Sequence, residues 1–560
     1  VTEAPVITLD RVGVRYADAD RAVLSGIDLT VAEGELLLVA GPTGSGKSTL
    51  LGTLNGLVPR VTGGTLSGTV RVAGRNTRTH HPRDLADVVG WVGQDPAAGF
   101  VTDTVEDELA YGMESLGVAP AAMRARVEHT LDLLGLAALR SRPLGTLSGG
   151  QAQRVAIGSV LTAGARVLVL DEPTSALDPG AAEDVLGALA RLVHDLGFTV
   201  VLAEHRLDRV LHHTDRVLLL AADGSVPRVG SPGAVLPGSA VAPPILRLAE
   251  VAGWSPAPLS VRDARRLAGP LRAALDHSLP TPTAETAARP AAEPTVLGRL
   301  RGVSLRYSGV PALDSIDLEL AAGSVTALMG RNGAGKSSLL AVLAGLRRAS
   351  SGTVRVGGTP GDRAAFDPSR ARPSQVLHQV GLVPQDPGEL LYADSVGAEC
   401  RAADRDAGAT PGTAAARLAR LAPAVGAGTH PRDLSEGQRL CLALAVVLAA
   451  DPPLLLLDEP TRGLDQPAKA VLVAILRDLA DRGHGIVLAT HDVELAAEVA
   501  DRVVLLADGR VVVDGPAADV VTAAPAFAPQ VAKILAPARW LTVSAVAAAL
   551  DPDPLAASWE

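Results

Sequence analysis

The chemistry that is easiest to read in this chain sits in nine residues, Gly41-Pro42-Thr43-Gly44-Ser45-Gly46-Lys47-Ser48-Thr49. Their spacing fits G-x-x-x-x-G-K-[ST], a loop that cradles phosphates. Glycines let the backbone approach an anion with no Cβ in the way. The N–H groups that open the following helix then point at the charge. In such a loop Lys47 reaches the β- and γ-phosphates, and the Ser48 hydroxyl ligates Mg²⁺. The pattern occurs twice. Gly330, Gly333, Gly335, Lys336, Ser337 and Ser338 repeat it. One copy alone has a plain alternative, a Gly-rich strand-to-helix turn.

Other reactive side chains recur in pairs. Asp171-Glu172 and Asp458-Glu459 each close an apolar run and precede a proline. Carboxylates at that end of a parallel strand lie where open α/β sheets hold ligands. His205 and His491 each follow an apolar run. Gln94 and Gln385 each open a Gln-Asp-Pro unit at a strand end. Leu147-Ser148-Gly149-Gly150-Gln151 leads into a helical pattern, and Leu434-Ser435-Glu436-Gly437-Gln438 repeats it. The plain reading there is a Ser N-cap; the functional one is a second anion-binding helix start. Ser175 to Asp178 pairs with Arg462 to Asp465. Tyr16 and Tyr307 end matching strand patterns. An aromatic there can stack on an adenine ring, although Tyr16 alone reads as a half-buried strand residue.

The elements that must position these groups are short. Leu36–Ala40, Val167–Leu170 and Val200–Ala203 are apolar runs, expected as strands buried on both faces of a parallel sheet. Thr49 to Leu54 and Ala152 to Leu161 read as helices. Corresponding motifs are displaced by 286 to 291 residues, so the chain holds one duplicated domain and not an array of short repeats. The expected fold class is α/β: two tandem P-loop NTPase domains, each with a small helical C-terminal add-on. Expected boundaries are 1–230 for the first domain and 231–275 for its add-on. A Pro/Ala/Thr-rich linker follows at 276–295, then the second domain at 296–515 and its add-on at 516–560. Trp254 and Trp540 mark the two add-ons, which are expected to pack on each other or on the partner half.

Composition removes several classes. The chain of 560 residues carries a net charge of −10, which argues against a polyanion-binding surface as its main feature. Two cysteines exclude a disulfide scaffold and a cysteine-rich iron–sulfur or zinc cluster, and they suit a reducing compartment. No apolar run reaches the roughly 18 residues that span a bilayer. The chain is therefore expected to be soluble or peripheral.

In this order, the phosphate loop, the glutamine, Leu-Ser-Gly-Gly-Gln, the apolar Asp-Glu run, the Asp178 loop and the histidine resemble the ATP-binding cassette ATPases. The resemblance covers nearly the whole chain, twice. It implies an ATPase with ATP and Mg²⁺ as cofactors. Lys47 and Lys336 would hold phosphates, with Gly41, Gly44, Gly46, Thr49 and their counterparts around them. Ser48 and Ser337 would ligate the metal, Asp171 and Asp458 would orient it through water, and Gln94 and Gln385 would sense it. Glu172 and Glu459 would polarise the attacking water, and His205 and His491 would contact the γ-phosphate. Tyr16 and Tyr307 would stack on adenine. The halves are expected to pair within the chain, head to tail. Lys47 would then face Ser435 and Gly437, while Lys336 would face Ser148 and Gly150. Gly149, Gln151 and Gln438 belong to the same nucleotide-contacting segments. The second copy departs from the pattern at Glu436, which stands where the first has Gly149. A carboxylate beside a γ-phosphate costs Coulomb energy unless it turns to solvent. ATP on Lys47 is therefore expected to turn over more slowly than ATP on Lys336.

Gln-Asp-Pro followed by Thr102 to Gly112, together with Ala203-Glu204-His205, looks like the ATPases of energy-coupling-factor importers. That resemblance implies import of a micronutrient, a B vitamin or precursor or cobalt or nickel. It implies two partners, a transmembrane coupling protein and a membrane substrate-binding protein. It implies a peripheral place on the cytoplasmic face of the cell membrane, and no nucleic acid. The acidic stretch Asp103 to Glu108 is a candidate receiver for basic residues of a coupling helix. Alternatives are a fused sugar-importer ATPase and a soluble cassette protein of translation.

Overall fold

The computed structural model describes residues 5–17, 21–175, 177–221, 225–275, 295–357 and 365–550. Nearly all of the expected linker, 276–295, lies outside the described residues, as does most of the Asp-rich turn after Tyr16. The chain divides into two compact units between Ser260 and Val261.

The first unit holds β1 (Ile7–Arg15), β2 (Leu24–Val31), β3 (Leu36–Ala40), β4 (Thr65–Val72), β5 (Arg75–Asn76), β6 (Val89–Val92), β7 (Val167–Asp171), β8 (Thr199–Ala203), β9 (Arg216–Leu219) and β10 (Arg228–Gly230). Alternating burial in β2 gives an antiparallel sheet of order β2-β1-β4-β5. The strands β3, β7 and β8 are buried at every residue; apart from Thr199, which opens β8, and Asp171, which ends β7, they are wholly apolar. They form the centre of a sheet of order β10-β9-β3-β8-β7-β6, parallel except at β10. One core joins the two sheets to the helix Lys47–Leu54, through Ile7, Leu9, Val12, Leu37, Val39, Leu50 and Leu51. Each such side chain contributes about 1.5–3 kcal/mol when fully buried.

The second unit repeats the plan with β11 (Val296–Tyr307), β12 (Val310–Ala321), β13 (Val325–Met329), β14 (Ser351–Val356), β15 (Val380–Val383), β16 (Leu454–Asp458), β17 (Gly485–Ala489), β18 (Arg502–Ala507) and β19 (Arg510–Pro516). Its antiparallel sheet has the order β12-β11-β14, and its mainly parallel sheet β15-β16-β17-β13-β18-β19. On one face of the larger sheet, Leu455, Leu457 and Leu488 pack against Leu440, Leu444, Leu472 and Leu476. A separate small core of Val396, Cys400, Ala403, Leu418, Leu442 and Ala445 knits three helices, Val396–Asp406, Thr413–Leu421 and Glu436–Leu448. The third of these carries the second Leu-Ser-Glu-Gly-Gln segment, so that segment is anchored to both cores.

The expected add-on 231–275 is divided by the structure. Residues up to Ser260 belong with the first unit, and the helices Val261–Leu267 and Gly269–Leu275 belong to the second. There the Arg272 guanidinium donates to the Ile534 carbonyl at 2.6 Å. Ala264, Ala268 and Leu275 are buried, as are Ile534, Leu535 and Trp540.

This packing has a measurable weight. Arg272→Ala removes a charge-assisted hydrogen bond and is expected to cost about 1–3 kcal/mol. Thermal unfolding of the full chain should show the transition of the second unit shifted down, with that of the first unit unmoved.

Candidate functional site

Each phosphate loop is built by a strand that stops. Both β3 and β13 are followed by a glycine with positive φ, 153° at Gly41 and 148° at Gly330. A Cβ there would stand 2.5 Å from the Leu220 carbonyl oxygen in the first unit and 2.3 Å from that of Leu506 in the second. Only glycine turns the chain at this spot. A second glycine, Gly46 or Gly335, caps each following helix in the left-handed conformation. Lys47 and Lys336 are each 6% exposed. The Lys47 Nζ donates to the carbonyls of Gly41 at 2.9 Å and Pro42 at 3.1 Å. Lys336 repeats this with Gly330 at 2.9 Å and Arg331 at 3.3 Å, and stands 3.7 Å from Glu459 Oε1. Each ammonium is thus held over its own loop, where an incoming phosphate replaces carbonyl oxygens with a full negative charge.

The acidic pairs meet the loops. Ser48 stands beside Asp171, and Ser337 beside Asp458. Burial pushes both carboxyls above the ordinary range, with the neighbouring Glu172 or Glu459 adding to the rise and Ser48 or Ser337 opposing it. In each aspartate Oδ1 is buried and has no hydrogen-bond partner. A buried carboxylate oxygen without a donor is costly, and a hard cation that prefers oxygen ligands relieves it. The donor set therefore fits Mg²⁺, which Ser48 and Asp171 would hold in the first unit and Ser337 and Asp458 in the second. When bound, the ion neutralises charge that develops on the transferred phosphoryl group.

Glu172 and Glu459 adopt φ of 50° and 47°, the left-handed region that non-glycine residues avoid at a cost of about 1–2 kcal/mol. The strain is held by backbone bonds, Glu172 N to the Ala203 carbonyl at 2.9 Å and Glu459 N to the Ala489 carbonyl at 2.8 Å. The turn brings each carboxylate to its histidine. His205 Nε2 lies 2.8 Å from Glu172 Oε1, and His491 Nδ1 lies 2.7 Å from Glu459 Oε2. The two histidines thus use different ring nitrogens. All four side chains are 12% exposed or less. A buried carboxylate held to a histidine can accept a proton from water, and its histidine partner fixes its direction.

The other expected site residues take more varied places. Gln94 and Gln385 are exposed beyond the ends of β6 and β15, the strands beside β7 and β16. Tyr16 is half-buried and its hydroxyl shares a hydrogen bond with the Thr49 hydroxyl at 3.1 Å. Tyr307 is 41% exposed, and the Arg347 guanidinium stands over its ring, 5.6 Å from the centroid. The two tyrosines are thus held by different contacts. The helices Gly149–Thr162 and Glu436–Leu448 both start with a capping box. Ser148 and Gln151, and likewise Ser435 and Gln438, satisfy each other's backbone N–H groups. The side chains of Ser148 and Gln151 therefore have a structural task whatever else they contact. Asp178 and Asp465 also act as helix N-caps.

Glu436 does not stand as a bare carboxylate. It pairs with Arg439 at 2.9 Å and its stem lies over Gly463. The neighbouring charge reduces the Coulomb cost on which the expected asymmetry rests. The acidic stretch near residue 105 is also occupied. Glu106 pairs with Arg140, and Asp107 accepts from the Thr104 hydroxyl. Glu108, 4% exposed, accepts from Val101 N, Thr102 N and the Thr102 hydroxyl. Glu399 holds Tyr392 N and Ala393 N in the same way. Glu106, Asp107 and Glu108 thus each have a partner within their own unit. The sequence reading also missed the clamp made by Glu108 and Glu399, whose signal was an acid amid apolar helix positions.

Where the first unit has Arg154, the second has Cys441. Arg154 Nη1 donates to the Leu134 carbonyl, and Cys441 Sγ donates to the Leu421 carbonyl at 3.7 Å. The shorter side chain lines a cavity of about 200 Å³ beside Ser435, Gly437 and Leu464. Burial pushes the Cys441 thiol up to about 11. At pH 8 its thiolate fraction is near 10⁻³, so alkylation should be roughly a hundredfold slower in the native chain than in the unfolded chain, and should accelerate as pH rises toward 11. Mass spectrometry of iodoacetamide adducts checks this. The paired glutamates give a second expectation. Glu172→Gln combined with Glu459→Gln should lower kcat for ATP by about 10² or more while ATP binding persists. Steady-state phosphate release and equilibrium nucleotide binding read the two effects.

Comparison with known proteins follows the same pattern. The family described as ABC transporter matches residues 24–175 and 313–462, which together make up more than half of the chain. A protein of Streptomyces coelicolor named as an ABC transporter ATP-binding protein is 59% identical over 570 residues, covering 97% of this chain and 100% of its own length. One of Methanosarcina mazei, named in the same way, is 35% identical over 92% of this chain and 90% of its own length. The solved structure of an RNase-L inhibitor is similar with a TM-score of 0.57 and 20% identity, covering 91% of this chain and 92% of that one, a likeness of fold. With two phosphate loops, two acidic pairs and two histidines in matching places, the chain belongs to the ABC transporter family and is an ATPase built from two fused ATP-binding domains.

Proposed function

We propose that the chain is the energising subunit of an importer of the energy-coupling-factor type, with ATP hydrolysis on both units driving uptake of a micronutrient. The cargo class is a B vitamin or its precursor, or cobalt or nickel. The observation that carries the reading furthest is the completeness of both units. Each keeps its lysine, its Ser–Asp metal pair and a strained glutamate held to a histidine. A fused sugar-importer ATPase usually has one degraded site, so two intact sets count against that alternative. The names of the relatives support a transport role. The Gln-Asp-Pro segments and Ala203-Glu204-His205 support the energy-coupling-factor branch.

The partners in this reading are a transmembrane coupling protein and a small membrane substrate-binding protein, and the chain works on the cytoplasmic face of the membrane. Among the described residues no helix is long and apolar enough to cross a bilayer. A soluble role in translation is the second reading, raised by the fold likeness to the RNase-L inhibitor. The net charge of −10 counts against RNA contact.

Gentle detergent isolation of the tagged chain from its native membranes separates these readings. Two small multi-spanning membrane proteins, one of them variable, are the expected companions. A single sugar-type permease favours the first alternative, and ribosomal proteins with no membrane companion overturn the transport reading.

A further inference from the structure

One buried carboxylate has no place in the chemistry above. Glu204 ends the apolar run of β8 and is 2% exposed. Its Oε1 accepts from Thr174 N at 2.9 Å and from the Thr174 hydroxyl at 2.6 Å, and its Oε2 accepts from His205 N at 3.2 Å. Thr174 is fully buried. From the other side Arg209 Nη1 donates to the carbonyls of Thr174 and Leu177, each at 3.4 Å. The bonds to Thr174 and Leu177 join residues that are 30 or more positions apart in the chain. Burial holds the carboxyl above its usual range, opposed by Thr174 and Arg209. A residue that is costly to bury and fully engaged is a rigid connector.

The second unit is wired differently. Thr490 stands in the place of Glu204 and its hydroxyl accepts from Asp492 N at 2.9 Å. Asp492 pairs with Lys469 at 2.7 Å, on the helix Gln466–Asp481. The position of Arg209 is taken by Leu495. The histidine segment of the second unit is thus tied to a helix, and that of the first to the loop before Asp178.

We propose that Glu204 is a positioning residue of the first unit, which couples His205 to Thr174 so that both move as one piece during ATP turnover. The proposal rests on His205 serving the γ-phosphate. Glu204 touches no reacting atom; it acts through the His205 backbone and the Thr174 side chain. Its replacement should slow the step after binding and leave ATP binding in place.

The test uses the full chain carrying Glu459→Gln, so that single-turnover hydrolysis reports the first unit. Glu204→Gln puts an amide where two sets of donors converge, and is expected to lower the rate about tenfold with ATP affinity changed by less than about twofold. Thr174→Val removes one of the same bonds and should act in the same direction. The double variant should be little worse than Glu204→Gln alone, as expected for one shared link. Rates within about twofold of the parent, or effects of the two variants that simply multiply, overturn the proposal. So does a parent without first-unit turnover. If Glu204→Gln fails to fold by its melting profile, Thr174→Val decides alone, since the carboxylate keeps its two backbone donors. His205→Ala runs alongside. Full turnover in that variant overturns the reading of the site itself, whereas loss there with retention in Glu204→Gln overturns this proposal only.

Discussion

The structure depends on one backbone hydrogen bond made twice. Glu172 N donates to the Ala203 carbonyl, and Glu459 N to that of Ala489. Each bond extends a parallel strand pairing one residue past its regular end. It accompanies a left-handed glutamate, and that turn carries the carboxylate to the histidine. A relaxed glutamate would continue the strand and point into a packed face. The cost of the strain is small against the buried apolar strands that impose it, because β7 and β8 have no exposed residue that could give way. Catalytic geometry is here a by-product of sheet packing.

The two units share this device and differ around it. The first uses a buried glutamate and an arginine to fasten its histidine segment; the second uses a lysine–aspartate pair. In the first unit Arg154 bonds to the Leu134 carbonyl, and in the second a cavity lies beside Cys441. Both units keep the loop lysine and the glutamate–histidine pair, while the supporting contacts differ. Such differences are tolerated because supporting contacts are satisfied in pairs. A buried charge survives only if its partner changes with it, as Lys469 and Asp492 do.

Much of the fold was legible because its signals are local. Five-residue apolar runs can be nothing but buried strands when a phosphate loop or an Asp-Glu pair follows them. The acidic pairs and histidines were legible because they occur twice at one displacement. Three features were not legible. The left-handed glutamates follow from a strand pairing and not from residue type. The roles of Glu108, Glu204 and Glu399 depend on which backbone donors face them, and periodicity reports burial without naming a partner. The division of the expected add-on 231–275 was hidden for the same reason, since Ala264 and Leu275 read as apolar whichever unit covers them.

That division has a consequence for synthesis. The helices Val261–Leu267 and Gly269–Leu275 leave the ribosome more than 250 residues before Ile534 and Trp540, with which they are buried. Until the last segment appears, their apolar face has no cover, and loop closure over that distance adds entropy that grows only with the logarithm of length. The nascent second unit is therefore incomplete until Ile534 and Trp540 have been made. A gene split between the two sequence repeats would leave this helical pair on the product that cannot use it. The fused chain keeps both parts of that packing on one molecule, at a fixed ratio and within reach of each other.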